Sequence, residues 1–232
     1  MTLGVLSGGT GAALVALGTV LGLDAVSVGQ TMLSRPIVGA TLAGACCGDP
    51  AAGAAAGVLL EFVALETLPV GASRYPDWAP AGVTAGALAA LGTPSSPALA
   101  LGVLLGIAIA WVSGRSMVTL RNANGRRLAA WQAALDAGDG AVPARLMGRG
   151  IAGDALRACL ISVVGVALVP IGAWIAGRWR LDPWTTGAVT AVATLMVTAS
   201  STRQMFHGVT AARGLFAGAF IAGVLLAAGW YA

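Results

Sequence analysis

The sequence has little charge and little variety in the charge it has. Of 232 residues only 9% are Asp, Glu, Lys or Arg, against roughly 25% in ordinary soluble domains. That scarcity argues against a soluble enzyme. Lysine is absent, so all thirteen positive charges are Arg. The one histidine, His207, has no further His or Cys near it at ligand spacing, so neither a metal nor another cofactor is expected. Three cysteines cannot all pair, and Cys46 and Cys47 lie in an apolar Gly/Ala run, so Cys46, Cys47 and Cys159 read as small core residues. No Arg precedes Arg35, and without a positive n-region the opening apolar run reads as a retained membrane segment rather than a cleaved signal.

What the chain does have is apolar length. Hydrophobic residues make up 57% of it and mean hydropathy is +0.85. Charge is missing from residues 1–23, 36–48, 50–60, 78–114, 158–177, 183–202 and 214–232. Since a bilayer-crossing helix needs roughly 20 apolar residues, the expected fold is all-α: a polytopic integral membrane protein with several transmembrane helices and re-entrant or broken helices. Three parts of one membrane unit are expected: residues 1–114, an Arg-rich cytoplasmic loop at 115–157, and residues 158–232.

Charge is distributed unevenly. Residues 24–77 carry five acids and two Arg, residues 115–157 seven Arg and three Asp, and residues 178–213 four Arg and one Asp. Seven Arg in a loop between apolar segments fit retention on the cytoplasmic side, and the pattern does not suit a nucleic-acid partner. Within that loop Leu128, Trp131 and Leu135 share one face of a helix over 126–135, expected to lie along the interface.

Breakers divide the apolar runs further. Pro36 disfavours helical geometry at Arg35, so the chain is expected to be extended there and the element over 26–48 to be broken. A helix over 51–68 ends at Pro69-Val70-Gly71, and residues 92–97 (Gly-Thr-Pro-Ser-Ser-Pro) cut the run 78–114 in two. Glycines recur four apart seven times, a spacing near chance at this glycine content, although the composition favours close packing of helix backbones.

Acids in hydrocarbon cost at least about 2.5 to 3.5 kcal/mol each, so those in residues 24–77 carry a functional hypothesis. Asp49, Gly53, Gly57 and Glu61 stand at successive i+4 positions, flanking with carboxylates a track where another backbone or a ligand can approach. The alternative pairs each acid with Arg35 or Arg74, or with a headgroup. Gly29 to Pro36 adds an amide, two hydroxyls and a guanidinium, and a polar broken element at membrane depth must line a cavity or be buried in protein. Such groups suit a poly-hydroxylated ligand, with amino acids and ions left possible. Gly48-Asp49 also matches the short dipeptide of intramembrane aspartyl proteases, with Asp24 or Asp77 as second carboxylate. A scaffold subunit without cargo is the third alternative.

Residues 23–83 resemble the signature region of the IIC membrane subunit of the mannose/fructose/sorbose-type phosphoenolpyruvate-dependent sugar phosphotransferase system. The likeness lies in ordered motifs: Asp24 followed by Gly29-Gln30, then Ser34-Arg35-Pro36, Gly48-Asp49, Leu60-Glu61, Pro69-Val70-Gly71-Ala72-Ser73 and Pro76-Asp77. The resemblance implies a sugar-translocating subunit, not itself an enzyme, moving its cargo by an elevator-like shift. It implies a IID membrane subunit, soluble IIA and IIB phosphocarriers, a trimeric assembly and a bacterial cytoplasmic (plasma) membrane location. Carried over, the substrate-binding candidates are Gln30, Arg35, Asp49, Glu61, Glu66, Ser73 and Asp77. Phosphoryl chemistry is assigned to the partners, so no catalytic residue is expected and His207 is not expected to carry a phosphoryl group.

Overall fold

The computed structural model describes residues 6–65, 75–92 and 97–178, together with Asp182, Gly214, Gly218 and Ile221. Glu66, Ser73, Arg74 and His207, and the expected segments over 183–202 and most of 214–232, lie outside the described residues. Within them the fold is all helical: α1 Gly8–Val26, α2 Pro36–Cys46, α3 Pro50–Leu65, α4 Trp78–Ala90, α5 Ala98–Ala130, α6 Gln132–Asp136 and α7 Ala141–Arg178.

Each start has a local cause. Ser7 accepts a hydrogen bond from the Thr10 amide (3.1 Å) and caps α1. Arg35 is extended (φ −62°, ψ 138°), as the following proline demands, and Pro36 opens α2, where its missing N–H costs nothing. Asp49 accepts from the Ala52 amide (2.9 Å) and Asp77 from the Ala79 amide (3.3 Å), at the starts of α3 and α4. The chain turns between α4 and α5, so the apolar run 78–114 is two helices.

Helices α1, α5 and α7 are long and apolar enough to cross a membrane, whereas α2 and α3 are shorter apolar helices. At 11 residues α2 is about 16 Å long, half the depth of a hydrocarbon core. The centre of the structure is α4, every residue of which from Ala79 to Ala89 is buried. It is walled by α5, α2, α3, α7 and α1. Such encirclement suits a helix in which eight of thirteen residues are Ala or Gly, so that neighbours can come close on every side. Large apolar side chains instead face outward, among them Leu104, Leu156, Leu160 and Ile171, the arrangement a lipid-facing surface requires.

Close approach is carried by glycine. A Cβ on Gly44 would stand 2.8 Å from the Cα of Gly53, and one on Gly53 would stand as close to Gly44, so α2 and α3 touch backbone to backbone. A Cβ on Gly86 would lie 2.6 Å from the Cα of Ala40, pinning α4 to α2. Cys46, expected in the core, is exposed at the end of α2; Cys47 and Cys159 are half-buried.

The structure corrects the reading of residues 115–157. There is no extended loop: α5 runs on to Ala130 and α7 begins at Ala141, so the Arg-rich stretch is a helical hairpin. The single amphipathic helix over 126–135 breaks at Trp131 (φ −106°, ψ 6°), over whose ring the Arg149 guanidinium stacks at 5.6 Å. Leu128 and Trp131 therefore belong to the tip of a hairpin instead of one interfacial face. Nor is the stretch all water-facing, because Asp154 and Arg157 are buried.

Gly86→Ala should lower the melting temperature of the purified protein, since overpacking a tight contact costs about 1–3 kcal/mol. Gly125→Ala, with nothing within 4 Å of its new methyl, should be neutral or stabilising, glycine being about 0.5–1 kcal/mol poorer than Ala inside a helix. Equal melting temperatures for the two variants in detergent would contradict this packing.

Candidate functional site

Two polar assemblies lie at the ends of these helices, joined by the segment between α1 and α2. The first is built on Asp24, buried on the last turn of α1. Its Oδ1 accepts from the amide and hydroxyl of Thr31 (2.8 and 2.7 Å) and its Oδ2 from the Ser34 amide (2.9 Å). One carboxylate thus folds residues 27–35 back over the helix end. Within this loop Gly29, Gln30 and Met32 have positive φ (85°, 52° and 66°), which for residues bearing a side chain costs of order 1–3 kcal/mol and persists only when the surroundings enforce it. Gln30 is exposed, its Nε2 donating to the Val26 carbonyl (2.8 Å). At the loop's end Arg35 pairs with Glu61 of α3, whose Oε2 also accepts from the Ile37 amide (3.2 Å). The Arg35 side chain remains 45% exposed and that of Glu61 16%, so this pair is open to one side.

The second assembly is closed. Arg157 of α7, its side chain 6% exposed, donates from Nη1 to Asp77 Oδ2 and to Ser113 Oγ (2.9 Å each) and from Nε to Asp154 Oδ1 (2.8 Å). Ser113 also donates to Asp77 (2.7 Å). Asp154 accepts from the hydroxyl of Ser27 (2.6 Å), the residue that ends α1 and begins the polar loop. The loop is therefore held by Asp24 within and by Asp154 behind.

The sequence candidates separate accordingly. Gln30 and Arg35 share the loop, and Arg35 brings Glu61 to it. Asp49 stands at the far end of α3, twelve residues and about 18 Å of helix from Glu61, so no single monosaccharide reaches both. The room expected beside Gly53 and Gly57 is taken: a Cβ on Gly57 would stand 2.7 Å from the Cα of Ile37, and Gly53 lies against Gly44. The glycine track receives the α2 backbone, not a ligand. Asp77 is buried with both oxygens engaged, its Oδ1 in the α4 cap. Among the described residues Asp24, Asp49 and Asp77 hold separate partners, and no two share a hydrogen bond, unlike a proton-sharing protease pair.

Sequence reasoning missed Asp154 and Arg157 because they sat in a stretch counted by net charge. The signal was the spacing: an acid and an Arg three apart on an otherwise apolar helix, where a buried i,i+3 pair forms.

Removing one partner of a buried pair costs about 3–5 kcal/mol, whereas a half-exposed pair is worth under about 1 kcal/mol. Arg157→Leu should therefore cut the yield of folded protein and lower its melting temperature far more than Arg35→Leu. Adding Asp154→Asn to Arg157→Leu should restore part of the loss. Thermal melts in which Arg35→Leu is as damaging as Arg157→Leu would refute this ranking.

Comparison with known proteins agrees with this architecture. A solved structure described as "Structure of membrane protein" superposes with a TM-score of 0.68 over 98% of this chain and 93% of that one, at 19% identity, a likeness of fold. No curated protein matches the chain in sequence. The family model described as "PTS system sorbose-specific iic component" matches residues 10–133, which include α1 but for its first two residues, α2 to α5, and both polar assemblies except Asp154 and Arg157. With more than half its length matched, the chain belongs to the sorbose-specific IIC family and is an integral membrane subunit of a sugar phosphotransferase system.

Proposed function

We propose that this subunit binds a hexose or related sugar at the face formed by the 27–35 loop and the Arg35–Glu61 pair, and carries it across the bacterial cytoplasmic membrane for phosphorylation by partner subunits. The observation that carries the reading is the loop itself: a polar segment with two non-glycine residues at positive φ, clamped by a buried aspartate. Backbone held in so unfavourable a state points to a functional demand. A scaffold without cargo has no need of it. Gln30 offers an amide, and Arg35 and Glu61 offer donors and acceptors whose mutual pairing leaves further lone pairs and N–H groups for adjacent hydroxyls. Glu66 and Ser73 belong to the same proposal by motif alone. Asp77, with its partners, acts in it as a support for the loop's frame, and Asp49 as a helix cap.

The same family membership underlies the rest of the proposal: an elevator-like shift of the part bearing the loop, a IID membrane subunit, soluble IIA and IIB phosphocarriers and a trimeric assembly. Phosphoryl transfer then takes place on the carriers, with the hairpin of α5, α6 and α7 on the cytoplasmic side.

Losing a hydrogen bond to a charged group costs roughly 1.5–3 kcal/mol, about ten- to a hundredfold in affinity. Glu61→Gln and Gln30→Ala, purified with the IID partner and titrated with hexoses by calorimetry, should weaken binding by that order, while Asp49→Asn, which keeps a capping side chain, should not. Unchanged affinity in the first two, with the assembly intact, would place the sugar elsewhere.

Orientation is tested separately. Ala137, exposed at the hairpin tip, can be replaced by Cys in a protein whose three native cysteines are changed to Ala. The tip should react with a membrane-impermeant thiol reagent only after cells are opened, and labelling of intact cells would reverse the topology.

A further inference from the structure

Midway along its outward surface α5 borders a cleft that the proposed sugar site does not use. It has a volume of about 380 Å³ and is lined by Tyr75, Trp111, Gly114, Arg115 and Val118. That size lies within the roughly 300–1,000 Å³ typical of small-ligand pockets. Gly114 forms its floor: a Cβ there would strike the Tyr75 carbonyl, so glycine lets the strand of chain before α4 lie flat on α5, where the Asp77 amide donates to the Ala110 carbonyl (3.0 Å). Tyr75 is fixed as one wall, its hydroxyl 2.6 Å from Arg121 Nη2 and its ring 5.1 Å from that guanidinium. Arg115 is exposed at the mouth and forms no ion pair among the described residues. Among the described residues the lining holds one basic side chain, two aromatic rings and no acid.

We propose that this cleft binds the headgroup of an anionic phospholipid, with Arg115 gripping the phosphate and Trp111 covering the glycerol region. A guanidinium meets phosphate oxygens with paired N–H donors, and indole rings favour the membrane–water boundary. The acyl chains have a track. Leu104, Ala108, Trp111 and Arg115 are all exposed and follow one another at i, i+4, i+7 and i+11, a single outward stripe that is apolar until Arg115.

The depth agrees by an independent measure. Ser113, between Trp111 and Arg115, is level with Arg157, to which it is hydrogen-bonded. Seventeen residues further along α7 comes Trp174, half-exposed, with Arg178 stacked over its ring at 4.0 Å. Those residues span about 25 Å of helix, close to the roughly 30 Å of a hydrocarbon core. The two Trp–Arg pairs thus mark opposite membrane surfaces, and Arg115 stands in the headgroup layer on the side of the Arg-rich hairpin. A basic side chain at that level, here in a cleft between α5 and the segment that leads into α4, suits an anionic headgroup. The lipid stripe is also what favours a membrane lipid over dissolved phosphate as the source of the anion.

Native mass spectrometry of the full-length protein in detergent, with phosphatidylglycerol and phosphatidylcholine added in turn, tests the site. Phosphatidylglycerol should be retained in preference, and Arg115→Gln should reduce its retention about fivefold. Arg115→Lys should keep most of it, and Arg126→Gln, exposed on the hairpin away from the cleft, should leave it unchanged. Equal retention of the two lipids by the unaltered protein, or undiminished phosphatidylglycerol in Arg115→Gln, would overturn the proposal. So would displacement of the lipid by millimolar inorganic phosphate, since the site would then recognise the free anion.

Discussion

The arrangement depends on where one guanidinium finds its acceptors. Arg157 sits on α7, and its donors reach Asp77 ahead of α4, Ser113 on α5 and Asp154 one turn earlier on α7, while Asp154 takes the hydroxyl of Ser27 at the end of α1. Four elements are therefore registered against each other by a single charge. In a low-dielectric interior each ion is costly alone, and only a geometry that satisfies several donors at once offsets that cost. Small displacements of any one helix break more than one bond. That gives the end of the bundle a definite position in a fold whose remaining contacts are mostly methyl against methyl.

Those remaining contacts follow a different logic. With little hydrophobic driving force between helices inside lipid, association rests on dispersion and therefore on distance. Glycine at Gly44, Gly53 and Gly86 brings backbones together where any side chain would hold them apart. Many large residues face outward, among them Leu104 and Leu156, while the central helix α4 is mostly Ala and Gly, with Val83 and Leu88 buried in it. Tight apolar packing and one ionic cluster are complementary: the first supplies area and the second supplies register.

Much of the fold was legible because breakers and charge act locally. Pro36 extends Arg35, Pro50 and Asp49 start α3, and residues 92–97 divide α4 from α5, each by chemistry confined to a few residues. The hairpin is not legible because a dense run of Arg fits a water-facing loop with one short helix as well as it fits two long helices that meet at a tip. Residues 113–130 continue α5 as helix, and apolar periodicity says little once both lipid and water are available. Of the candidate site, the sequence shows the residue types but not their neighbours. Gln30, Arg35 and Glu61 stand out as polar residues in an apolar setting, and the structure brings them to one loop, yet the i+4 stripe from Asp49 to Glu61 cannot tell whether its glycines meet a ligand or a helix. That choice is made by α2, through contacts between nine (Gly53 to Gly44) and twenty (Gly57 to Ile37) residues away in sequence and invisible to periodicity within α3. Asp77 is a sugar-contact candidate by motif, whereas in the structure it is a buried acid whose partner Arg157 lies eighty residues on.

The two ionic features differ in a way that matters for transport as proposed. Arg35 and Glu61 meet at a partly exposed surface, where pairing energy is small and partners can be exchanged for hydroxyl groups at little net cost. Arg157 and its carboxylates are shut away, where exchange would strand a charge. The loop between them is anchored to the closed cluster through Ser27 and ends at the open pair through Arg35. A ligand that competes for Arg35 and Glu61 thus alters only the weaker end, while the stronger end keeps Gln30 and the strained backbone in place. Binding of this kind requires no reorganisation of the helices, so the interaction energy goes to the ligand and not to reshaping the site.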